Sequence, residues 1–157
     1  MKWNTFLKNL TLIKENAPKQ NIQLDLQSKS LNGFHIMNTQ RKLFDSGLLK
    51  NVDDFRLQFL NEPNFLSLQI LDNQTKQKLC KKINDHIKNF LVPSGSLISI
   101  NDYESMINYI NLEDESHLIP MFIKYCSALD SIRNENTSKI FPELGNLWNN
   151  KSLVLQN

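Results

Sequence analysis

Few residues in this chain combine a reactive side chain with a position where chemistry is usually done. Asn32 and His35 have the best position. They sit in the Leu-Asn-Gly-Phe-His loop at 31–35, directly after an alternating, strand-like run. Architectures built from βα units form their sites at the carboxyl ends of strands, so an amide and an imidazole there point toward a substrate or a cofactor. The same residues also suit a helix start, with Asn32 and Gly33 turning the chain. Asn61 and Glu62 follow a second strand-like run in the same way, and Pro63 there makes a plain turn.

Other reactive groups are dispersed. His35, His86 and His117 fall on three different elements, with no H-E-x-x-H or similar pairing, so the sequence predicts no metal site. Ser94-Gly95-Ser96 is too short for a phosphate loop and follows a helix, and Ser127 has no histidine in a triad-like order. Cys80 and Cys126 lie far apart in apolar helical patterns, which predicts buried thiols in a reducing cytoplasm. Lys76, Lys78, Lys81 and Lys82 read as the solvated face of a helix. Asp130 and Arg133, three residues apart, predict an ion pair across one helical turn.

The elements that must position these groups follow from periodicity. Trp3, Phe6, Leu7, Leu10 and Ile13 recur at helical spacing up to Pro18. Ile22, Leu24 and Leu26 alternate with polar residues and predict a strand. A helix over about 34–46 stops at Gly47. Phe55, Leu57 and Phe59 predict a second strand, and 65–71 a third. The remainder reads as helical. Asp72-Asn73 caps one long helix, Asn101-Asp102 caps the next, and a last one runs through Ile119, Phe122, Ile123, Cys126 and Leu129. Phe141, Leu144, Leu147 and Trp148 share one face of a tail expected to dock on the body. The fold class is therefore α/β: a partial (βα) barrel-type parallel sheet over 1–71, then a helical region over 72–157.

The chain has 157 residues and a formal net charge of +2. That charge supplies no bulk field for nucleic acid or membrane surfaces. Its apolar runs fall short of the ~20 residues of a membrane helix, and its N-terminus lacks the order of a signal peptide. A cytoplasmic location is expected.

Several ordered strings resemble radical S-adenosylmethionine (SAM) proteins with a twitch-type C-terminal region. One is Trp3 with Phe6-Leu7-Lys8-Asn9-Leu10 and Ile13-Lys14. Others are Leu31-Asn32-Gly33-Phe34-His35, Gly47-Leu48, and the tail Leu129-Asp130 with Arg133 and Phe141-Pro142-Glu143-Leu144. Asp72 stands where such proteins usually have proline. The resemblance implies a [4Fe–4S] cluster on three clustered cysteines and SAM as cofactor, with Asn32 and His35 as the candidate cofactor-facing residues. This chain carries only Cys80 and Cys126, so it would hold neither cluster nor catalytic residue. It reads as the C-terminal portion of such an enzyme, contributing barrel wall and cap. The missing N-terminal half or a partner chain would be its partner. The alternative is a small non-catalytic interaction protein. In either case the edge of the strand at 22–26 is expected to be open, inviting self-association.

Overall fold

Two short strands grow from the alternation in the sequence. In the computed structural model, which describes residues 3–148, β1 (Leu24–Ser28) and β2 (Phe55–Phe59) pair in parallel. Leu24 lies opposite Phe55 and Leu26 opposite Leu57. Because side chains alternate across a strand, the leucines and phenylalanines share one face while Asp25, Gln27, Arg56 and Gln58 share the other. The crossover helix α2 (Ile36–Asp45) buries Ile36, Met37, Gln40 and Leu43. It stops where Gly47 adopts a positive φ of 69° and its N–H closes on Phe44 O at 2.8 Å. The preceding helix α1 (Trp3–Asn16) buries only Leu10, and Lys14 Nζ donates to Gly47 O.

The expected third strand does not form. Residues 64–70 make two 3₁₀ turns, Asn64–Leu66 and Leu68–Ile70. Leu66, Leu68, Ile70 and Leu71 are buried, and so are the alternating Ser67 and Gln69, so the alternation separates no core face from a solvent face. Ser67 holds the second turn by accepting the Gln69 N–H at 3.0 Å, while Ser30 N and Oγ both donate to Leu66 O. Among the described residues the sheet thus has two strands, and the chain is α/β in the broad sense: mostly helical, with a small parallel sheet.

Helix α3 (Asn73–His86) starts as the sequence predicts, with Asp72 accepting from Thr75 N at 3.0 Å. It runs on into a π turn at Ile87–Leu91. Helix α4 (Ile98–Leu112) begins before Asn101-Asp102, because its cap comes from elsewhere in the chain: Asp53 Oδ1 accepts the Ser99 N–H at 2.9 Å. Asp102 is freed to face β2, where it takes Arg56 Nε at 2.8 Å and the Leu57 N–H at 3.2 Å. Lys76 is buried, not solvated, and donates to Glu113 O at 2.8 Å, whereas Lys78 and Lys81 are exposed as expected.

Helix α5 (Ile119–Arg133) ends at Asn134 in the left-handed region. Two short helices, α6 (Thr137–Ile140) and α7 (Gly145–Trp148), carry the tail. The tail docks as its spacing predicts. Leu144 and Leu147 are fully buried, and the Trp148 ring lies 5.4 Å from that of Phe122. Asp130 does not pair with Arg133. Its carboxylate accepts from Thr137 N and, at 2.6 Å, from Thr137 Oγ1. The buried apolar residues form one cluster, from Leu10 to Leu147, that crosses the 71/72 boundary.

Candidate functional site

The turn after β1 brings Asn32 and His35 together, with His35 N donating to Asn32 O at 2.9 Å. Asn32 shapes the turn with both ends of its amide. Oδ1 accepts from Lys29 N at 2.8 Å, and Nδ2 donates to Gln27 O at 2.9 Å. His35 turns to the tail instead: its Nε2 lies 2.6 Å from Glu143 Oε1, and its ring packs edge-on against Phe141. The carboxyl end of β1 is thereby joined to the C-terminal segment. A cavity of about 370 Å³ lies alongside, lined among others by Lys29, Asn32, Cys126, Arg133, Thr137 and Phe141. A Cβ at Gly33 would stand 2.7 Å from Leu68 Cδ2, so a larger residue here would press on that side chain.

The free side of β1 is the second feature. Leu60 N donates to Ser28 O at 3.1 Å, so the backbone polar groups of Ser28, and by alternation those of Leu26 and Leu24, face β2. Those of Asp25 and Gln27 face outward. Gln27 O is taken by Asn32, and among the described residues no other backbone group pairs with this side. The opposite edge, on β2, is closed by α4 through Asp102 and the Leu57 N–H. A cleft of about 290 Å³ lies against the apolar face, lined by Trp3, Phe6, Leu24, Leu26, Leu43 and Phe55 among others.

A buried polar group sits between α2, α3 and α4. Gln40 Nε2 donates to Val52 O and Ser99 Oγ, and Gln40 Oε1 meets His86 Nε2 at 2.9 Å. Burial against Phe90 and Tyr103, with Arg41 and Lys82 nearby, lowers the His86 pKa to about 4. The ring is therefore neutral at neutral pH. Burial raises the Asp53 pKa, but hydrogen bonds from Ser96 and Ser99 more than offset this and leave it below the usual carboxylate range. Burial pushes the Tyr103 hydroxyl far up. This group ties α2, α3 and α4 together.

The described residues do not fit an iron–sulfur cluster. Cys80 is on α3, beside Asn111 Nδ2 at 3.6 Å, and Cys126 is buried on α5. Among the described residues no group of three His, Cys, Asp or Glu side chains could hold a metal ion. Iron–sulfur clusters are held by converging thiolates, and these two cysteines stand on separate helices. Sequence reasoning missed Gln40, Asp53, Asp102 and Glu143, whose partners lie far along the chain. No helix of the described residues is long and apolar enough to cross a membrane. No family model, curated protein or solved structure matches the chain.

Proposed function

We propose that this chain is the C-terminal wall and cap of a radical SAM enzyme whose cluster-binding cysteines belong to another segment or chain. The observation that carries this reading is the β1–α2–β2 unit. It is a parallel pair with its crossover helix, closed at the β2 edge by α4 and open along β1. An incomplete parallel sheet of this kind is completed by further strands added at its open edge. The polar face bearing Asp25, Gln27, Arg56 and Gln58 would then look into the barrel. The turn with Asn32 and His35 would lie at the end where barrel sites are built. The His35–Glu143 contact supports the capping role, since it fastens the tail to that same end.

The apolar cleft beside β1 favours a second reading, a non-catalytic interaction protein that receives a partner there. Co-expression separates the two. The tagged chain is produced alone and together with the product of the reading frame beside its own, and iron and sulfide are measured in each preparation. The enzyme reading expects the chain alone to stay colourless after reconstitution. It expects the pair to co-purify with about four irons, held by three clustered cysteines of the neighbour. A stoichiometric four-iron cluster on the chain alone would sink the wall-and-cap account. A neighbour without such cysteines would favour the interaction protein.

A further inference from the structure

The cavity of about 370 Å³ beside the Asn32 turn is walled by three segments far apart in the chain. Leu31 comes from the turn after β1, Leu129 from α5, and Ile140 and Phe141 from the tail. The tail wall is held from two sides. Phe141 packs edge-on against His35, whose Nε2 meets Glu143 Oε1 at 2.6 Å, and Thr137 is fastened to Asp130. The cavity is therefore formed before a ligand enters it, and its volume falls in the range of small-molecule sites. Two cations stand on its lining without a carboxylate. Lys29 and Arg133 line the cavity, and among the described residues neither forms an ion pair. The fold itself leaves Arg133 in this state. Asp130, the carboxylate one helical turn back, is turned to Thr137 N and Oγ1 instead. Glu135 also lines the cavity, so two cations stand against one carboxylate and one positive charge is left over. The carbonyl end of α5 beside Arg133 spends part of that charge, which favours a single negative charge over a phosphate dianion.

We infer that this cavity binds an amphipathic monocarboxylic acid, with its apolar body among Leu31, Leu129, Ile140 and Phe141 and its carboxylate between Arg133 and Lys29. The planar guanidinium takes a carboxylate in a two-pronged fork, and the lysine adds a point charge. Arg133 is exposed and Lys29 half-buried, so the charged head stays at the mouth, in contact with water. Burial of the apolar body supplies most of the affinity, and the screened cations select the sign of the head group. The site uses residues of this chain alone and does not rest on the enzyme reading.

Octanoate is the probe, titrated into the full chain by calorimetry. Octanol and octylammonium, with the same body and a different head, are titrated beside it. Octanoate should bind at one saturable site, more tightly than octanol, with octylammonium the weakest of the three. Intermolecular nuclear Overhauser effects should join its methylene protons to the methyl groups of Leu129 and Ile140. Arg133→Ala and Lys29→Ala should each weaken octanoate by roughly 2- to 5-fold and leave octanol binding unchanged. Melting temperatures of both variants without ligand check that the fold is intact. Octanol binding as tightly as octanoate overturns the inference, as does octanoate affinity that neither variant moves. So does the absence of saturable binding, or a set of Overhauser contacts confined to the cleft at Trp3 and Leu24.

Discussion

Acidification from pH 7 to about 4.5 should destabilise this protein through His86, and the loss can be worked from what surrounds the ring. Burial, and then the positive charges of Arg41 and Lys82, lower its pKa from 6.5 to about 4. The folded value lies below the unfolded one, so the unfolded chain takes up this proton more readily. The contribution to stability is full above pH 6.5, declines as pH falls through 6.5, and is gone below about 4. The whole displacement corresponds to about 3 kcal/mol. The ring is only partly covered, so solvent screening reduces the measurable loss to about 1–2 kcal/mol. The assay is urea denaturation at stepped pH for the wild type and for His86→Gln, which keeps a polar partner for Gln40 without titrating in this range. Carboxylates common to both proteins cancel in the difference. Asp53 and Asp72, both held below the usual range, lose their contributions only at lower pH. The stability gap between the two proteins should therefore move against the wild type by about 1–2 kcal/mol between pH 7 and 4.5. A gap that stays constant across that range refutes the reasoning.

Leu144→Ala should cost about 2–5 kcal/mol in chemical denaturation, since the side chain is fully buried in the joint between tail and core. Truncation at Ser138 should lower the melting temperature and leave Phe122 exposed, which an apolar dye would report. Asp130→Ala should destabilise by about 1–2 kcal/mol through loss of the Thr137 cap. Arg133→Ala should stay within about 0.5 kcal/mol; equal losses for both would restore the Asp130–Arg133 pair. Gly33→Ala should cost about 1–3 kcal/mol in the same assay, because its Cβ would press on Leu68 and Leu79, both fully buried.

What could be read from the sequence was what local rules decide. Alternation placed β1 and β2, Gly47 stopped α2, and Asp72 capped α3, each through residues within a few positions of the event. The spacing of Leu144, Leu147 and Trp148 likewise predicted the docked tail. The failures are sites where a distant residue outcompetes a near one. Asp102 looked like a helix cap but is drawn to Arg56 and Leu57 N, and Asp53 takes over the capping from 46 residues away. Asp130 has Arg133 one turn away, yet an N–H and a hydroxyl from Thr137 hold its carboxylate in a fixed geometry. The run at 65–71 resembled a strand because Ser67 and Gln69 alternate with apolar residues, but both are buried and held by Tyr109, so no face is left for solvent. At the candidate site, the loop bearing Asn32 and His35 was legible, while the link from His35 to Glu143 spans 108 residues and has no local signature.

The central claim is that this chain completes a SAM-cleaving enzyme without holding its cluster. The measurement that tests it most directly is formation of 5′-deoxyadenosine from SAM under a strong reductant. It is assayed for the chain alone, for the cysteine-bearing neighbour alone, and for the two co-purified. The account predicts product only from the pair. Product from the chain alone would contradict it, as would a co-purified, cluster-loaded pair that forms none.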